Sequence, residues 1–211
     1  MSDNLKITRL ETQKKNKNRV SVFVNDEFAF GADLELIRNY GLQEGSLVTR
    51  KLVDEILLKD TKKRIKEKAF RYLAGRAHSE KELKTKLAQK GFDAKLIEEV
   101  IMELKSKNFI DDESFAFSYV RSRLIHRPAG ERLLRQELWQ KGIHEEIINR
   151  VLQKVFNETP QAELAQQLVV KLNRRYQNLE ENKKRKRIYE FLIRRGFDWE
   201  LVKEVVDKEF V

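Results

Sequence analysis

Six bases stand within the ten residues from Lys62 to Arg71: Lys62, Lys63, Arg64, Lys66, Lys68 and Arg71, opposed only by Glu67. Pairing along a helix at i,i+4 would need roughly one acid per base. The surplus therefore points to phosphate, which ammonium groups bind as point charges and guanidinium groups as a fork. A solvated helix face is the competing reading. Lys183, Lys184, Arg185, Lys186 and Arg187 form a second run, read either as a polybasic patch or as a solvated helix start. Together with Arg76, Arg121, Arg123, Arg127, Arg132 and Arg135, the first run and Lys183, Lys184 and Arg185 make up the candidate nucleic-acid contacts.

Catalysis has less to work with. Asp111, Asp112 and Glu113 are the one tight acidic cluster near a motif. A metal nuclease needs carboxylates that converge on Mg²⁺, whereas successive residues at a helix start diverge around its axis. Helix capping explains them better. His78, His126 and His144 are scattered, and no H-E-x-x-H, G-x-S-x-G or Walker pattern accompanies them. No enzyme, no metal and no cofactor are expected.

The elements that would position these charges repeat along the chain. Residues 87–104 read LAQKGFDAKLIEEVIMEL, 138–155 read LWQKGIHEEIINRVLQKV, and 192–210 read LIRRGFDWELVKEVVDKEF. Each has a basic residue, a glycine and an apolar residue ahead of an amphipathic stripe: Leu96, Ile97, Val100, Ile101 and Leu104 in the first copy, Ile147, Ile148, Val151, Leu152 and Val155 in the second, and Leu201, Val202, Val205, Val206 and Phe210 in the third. Gly91, Gly142 and Gly196 suit the left-handed position that ends a preceding helix. Asp93 and Asp198 stand as N-caps for the next, a place that His144 fills less well. Ser79 and Glu82 form a capping box, and Thr159 and Pro160 read as N-cap and N1. Leu164, Leu168 and Leu172 give the third repeat its first stripe. A period near fifty residues means tandem supersecondary units.

Ahead of the repeats the pattern changes. Val20, Val22 and Val24 alternate, as do Phe28 and Phe30, with Asn25 and Asp26 as a two-residue hairpin turn. Leu5 to Gln13 makes a third strand, joined through a loop over residues 14–18. Asp33 caps a short helix that Gly41 ends, and a helix runs from Thr49 to Leu73. Four modules are expected: 1–48, a β-meander with a helix; 49–110, a linker helix and the first three-helix repeat; 111–157, the second repeat; and 158–211, the third. Several thin cores fit this composition, 37% charged and 40% hydrophobic, better than one thick one.

The formal charge of +10 is uneven. Residues 62–110 hold 14 bases against 7 acids, whereas 1–61 hold 10 of each. With a pI near 9.6, this is the footprint of a polyanion binder. There is no cysteine, no apolar run long enough to span a bilayer and no signal-peptide h-region in MSDNLKITRL. A soluble, cytoplasmic protein is expected, with no membrane partner.

RAHSEKELKTKL at 76–87, QKGF at 89–92, FIDDESFA at 109–116, Arg121-x-Arg123, Gly130 and L-x-QKGI at 138–143 together resemble the bacterial RecX regulators of the RecA recombinase. Asn108 stands where that family often has glycine, and asparagine tolerates the same left-handed turn. The residues themselves lead us to expect a mainly α fold of tandem three-helix repeats, elongated and curved, behind a small antiparallel β meander with a helix. The resemblance implies a non-enzymatic modulator that binds RecA filaments on single-stranded DNA and restrains ATP hydrolysis and strand exchange; a monomer is expected, with double-stranded DNA as a further partner. The first and second repeats would supply the DNA-facing charges, and Glu98, Glu99 and Glu103 would face protein. The rival reading is a helix-turn-helix transcriptional regulator. Against it, LIEEVIMEL and EEIINRVL are acidic or apolar where base-reading side chains belong.

Overall fold

The computed structural model describes residues 4–210. The chain opens as a four-stranded antiparallel sheet in the order β3-β2-β1-β4, from β1 (Asn4–Gln13), β2 (Asn16–Val24), β3 (Glu27–Asp33) and β4 (Leu47–Thr49). Asn25 and Asp26 turn the β2–β3 hairpin with φ of 50° and 69°, the two positive values that a type I′ turn demands. The expected meander has three strands; the fourth, Leu47–Thr49, falls where the sequence reads as a helix start. Three residues are too few to show alternation, and β4 exists because Leu5 pairs with Val48. Residues 16–18 likewise belong to β2 and not to a loop, since Asn16 pairs with Gln13.

Asp33 caps α1 (Leu34–Asn39), its carboxylate accepting from Glu35 N–H. Ile7, Val20, Val22, Phe30, Ala32, Ile37, Val48 and Ile56 are all buried in one cluster. That cluster includes Ile56 of α2 (Arg50–Gly75), so the sheet leans on the long helix as a sheet of this size must.

Three-helix repeats follow: α2 with α3 (Glu80–Ala88) and α4 (Ala94–Ser106), then α5 (Asp112–His126), α6 (Glu131–Gln140) and α7 (Glu145–Glu158), then α8 (Gln161–Arg175), α9 (Glu181–Arg194) and α10 (Trp199–Glu209). Gly91, Gly142 and Gly196 take φ of 78°, 83° and 82°, and Asn108 takes 59°. Asp93 accepts from Lys95 and Leu96 N–H, and Asp198 from Glu200 N–H. His144 holds its cap position without a side-chain bond. In all three stripes the first residue, Leu96, Ile147 or Leu201, is half-buried, and the three after it are buried.

Other expectations fail on local chemistry. Pro160 is the N-cap of α8, not N1, and Thr159 ends α7 by donating its N–H to Val155 O. Residues 183–187, by contrast, lie in the first two turns of α9, whose N-terminus Glu180 caps, and all but Lys184 are exposed, as the reading of a solvated helix start expects. The capping box is half made: Ser79 accepts from Glu82 N–H, but the Glu82 carboxylate turns to Arg76 and Lys141 instead.

The chain divides into two compact units: 1–71 with 87–100, and 72–86 with 101–211. The second contains one continuous apolar cluster from Phe115 to Val206. The second and third repeats thus share an apolar cluster. Glycine makes this possible: a Cβ built on Gly130 would overlap the Gly196 carbonyl, and one on Gly196 would overlap the Leu133 backbone. Both tryptophans stay outside, Trp139 at 68% and Trp199 at 60% exposure.

Candidate nucleic-acid interface

In the first unit the basic run of α2 faces a cleft of about 380 Å³ lined by β2, α2 and the turn after α3. Its frame is a buried ion pair. Asp60, 3% exposed, accepts both Arg19 guanidinium nitrogens at 2.9 and 3.0 Å and the Asp33 N–H at 2.8 Å. Arg19 also donates to Gly31 O at 2.8 Å, so each of these buried polar groups finds a partner. Lys63 donates to Asp33 and Glu35 at 2.8 and 2.7 Å, and these bonds raise its pKa.

The six bases of the run are therefore not alike. Lys63 braces the sheet, and Lys62 pairs with Glu99 at 2.5 Å, which draws Glu99 away from the protein-facing role expected of it. Arg64 is exposed and lies 5.8 Å from the Phe92 ring centroid. Arg71 is exposed and bonds to Glu67 O. Arg64, Lys68 and Arg71 line the cleft together with Lys90, a residue that the basic run does not contain. Lys66 is half-buried on the same helix.

The second unit spends part of its charge internally. Glu82 accepts from Arg76 at 2.9 Å and from Lys141 at 2.8 Å. Burial would raise its pKa, but these two hydrogen bonds outweigh burial and hold the carboxyl at about 2. Lys141 also sits 4.7 Å from the Tyr119 ring centroid, a cation–π contact. Arg123, expected nearer solvent, is 18% exposed and binds Glu137. The Tyr119 hydroxyl donates to the same Glu137 at 2.9 Å, and burial together with that carboxylate pushes its pKa up to about 12. Arg135 pairs with Glu131 and Glu145, and Arg185 with Asp207. Arg132 reaches Ile193 O. Arg121, Arg127 and Lys183 are exposed, and Lys184, half-buried, lies 5.5 Å from the Phe210 ring.

The acidic cluster serves helices. Asp111 caps α5, accepting from Glu113 and Ser114 N–H. Asp112 stands in the first turn of α5 as expected and also accepts the Glu80 N–H at the start of α3 at 2.8 Å, and burial raises its pKa. Glu113 pairs with Arg150. Among the described residues no group of three or more His, Cys, Asp or Glu side chains is arranged to hold a metal.

Four family models match in order. The regulatory protein RecX N-terminal domain covers residues 5–49, and the first, second and third three-helix domains of RecX cover 66–104, 111–152 and 159–206. The chain belongs to the RecX family. It is 33% identical over 203 residues to the regulatory protein RecX of Clostridium perfringens, covering 95% of this chain and 94% of that one. To that of Listeria monocytogenes it is 30% identical over 199 residues, covering 94% and 74%. A crystal structure of regulatory protein RecX superposes with a TM-score of 0.74 at 28% identity, covering 96% of this chain and 99% of that one. RecX from Lactobacillus salivarius gives 0.64 at 25% identity over 72% of this chain and 99% of that one.

RecX membership makes this a regulatory protein and not an enzyme. Among its described residues no helix is long and apolar enough to cross a membrane. Sequence reasoning missed Lys90 and Phe92 as cleft residues, because only folding brings them to α2. It also missed the acids that claim Lys62, Lys63, Arg123 and Arg135, most of which lie more than one helical turn away.

Proposed function

We propose that this chain is a negative regulator of the RecA recombinase. It binds the RecA filament on single-stranded DNA and restrains ATP hydrolysis and strand exchange in recombination, DNA repair and the SOS response, acting in the cytoplasm. The observation that carries this reading is the ordered match of all four RecX modules along the chain. Supporting it, Arg64, Arg71, Arg121 and Arg127 are exposed, and cations of this kind hold phosphate without reading bases. Candidate DNA contacts that are already paired, such as Arg123 and Arg135, contribute less.

The test adds purified protein to RecA on single-stranded DNA and follows ATP turnover. Inhibition that saturates with added protein is expected, and undiminished turnover at saturation overturns the reading. Binding to DNA alone should weaken steeply with salt and vary little with sequence. Strong preference for one duplex operator would favour a transcriptional regulator.

A further inference from the structure

The repeated motif places a base just before each glycine: Lys90, Lys141 and Arg195. In the second and third repeats that turn is consumed by packing. Lys141 O accepts the Ser79 hydroxyl at 2.7 Å while its ammonium binds Glu82, and a Cβ on Gly142 would overlap the Lys81 side chain. Arg195 O accepts the Gly130 N–H at 2.9 Å, and its half-buried side chain lies 4.9 Å from the Phe191 ring centroid. The first turn is spared. A Cβ on Gly91 would meet nothing within 4 Å, and Lys90 is exposed on the wall of the cleft. A motif position used for structure twice is left available once, and there it stands beside cations.

We propose that this cleft binds the phosphodiester backbone of single-stranded DNA, with Lys90, Asn16 and Asn18 as ligands beyond those on α2. The inference rests on the reading above for its choice of nucleic acid. Arg19 with Asp60, and Lys63 with Asp33, neutralise one another in the frame. Of the other charges in the lining, Arg64, Arg71 and Lys90 outnumber Glu67. Arg64, Lys68 and Arg71 follow one helix face at i, i+4 and i+7, a row of about 10 Å, which suits successive phosphates of a strand better than one isolated phosphate. Asn16 and Asn18 bring carboxamide N–H donors from the opposite wall. Half-buried Phe92, with the Arg64 guanidinium over its ring at 5.8 Å, adds an aromatic side chain to the lining, and contacts of aromatic rings with bases tolerate any sequence. The N-terminal sheet thereby takes part in binding, as one side of the strand site.

The experiment measures affinity of the full-length protein for short oligo(dT) across a salt series, for wild type, Lys90→Glu, Asn18→Asp and a remote charge control, Lys203→Glu. All three positions are exposed, and unchanged thermal melts establish that the variants fold. Lys90→Glu should weaken binding about tenfold and flatten the salt slope by about 0.7. Asn18→Asp should weaken binding by a smaller factor, and Lys203→Glu should stay within about twofold of wild type. Equal losses in Lys90→Glu and Lys203→Glu, or none in either, overturn the site. A second arm titrates inorganic phosphate. Phosphate that binds wild type but not Lys90→Glu, while oligo(dT) treats the two alike, overturns a strand as occupant. If Lys90→Glu binds oligo(dT) like wild type yet still slows RecA, the site falls and the regulatory reading stands. Loss of oligo(dT) binding in Lys90→Glu, with wild type failing to slow RecA, upholds the site and overturns the regulatory reading.

Discussion

Gly91 and Gly196 close the same turn in the first and third repeats with φ of 78° and 82°, yet one faces open space and the other lies against Leu133 backbone. Lys90 and Lys141 differ in the same way, one exposed and one bound to Glu82. A duplicated motif thus transmits its backbone faithfully and leaves the use of each side chain to whatever packs beside it. At these turns the second unit spends Lys141 on an internal bond and the first keeps Lys90 at the surface, although Arg121, Arg127 and Lys183 of the second unit are exposed as well.

The sharpest way to break this comparison is to add one methyl group to each turn. Gly196→Ala combines left-handed strain with overlap against backbone that has nowhere to move, and should cost about 3–5 kcal/mol in chemical denaturation. Next in size is Glu82→Gln, which should cost about 2 kcal/mol by weakening two charge-assisted hydrogen bonds. Its pH dependence has a definite sign. A carboxyl lowered from 4.5 to about 2 on folding stabilises fully above pH 4.5 and loses that contribution as pH falls toward 2. Acid titration of Glu82→Gln should lack this segment of the slope; an unaltered slope would mean the ion pair is idle.

Gly91→Ala meets only the backbone strain and should cost about 1–2 kcal/mol. A loss as large as that of Gly196→Ala would erase the distinction between the turns. Smallest of all is Asp112→Asn. The amide oxygen can still accept the Glu80 N–H, and removing a carboxylate whose pKa burial raises takes away a charge that costs stability above that pKa. Stability at neutral pH should stay within about 0.5 kcal/mol of wild type or rise, whereas Asp112→Ala leaves the donor unmet and should fall.

What the sequence made legible was local. Apolar stripes, caps at Asp33, Asp93 and Asp198, and left-handed turns at Gly91 and Asn108 all arise from neighbours within a turn or two. Strand β4 could not be read, since three residues carry no period and its partner lies more than forty positions earlier. The site was only half legible for a related reason. A run of bases announces positive charge, but Asp33 decides the employment of Lys63 and Glu137 that of Arg123, and these pairings exist only after folding. The cleft adds Phe92, which has no charge to advertise it.

The outward placement of Trp139 and Trp199 has a practical corollary. Their indoles already meet water in the native state, so intrinsic fluorescence should redden little on denaturation and would be a poor gauge of unfolding. The same emission should shift blue when another macromolecule covers either ring, making these two side chains native optical reporters of docking on the second and third repeats.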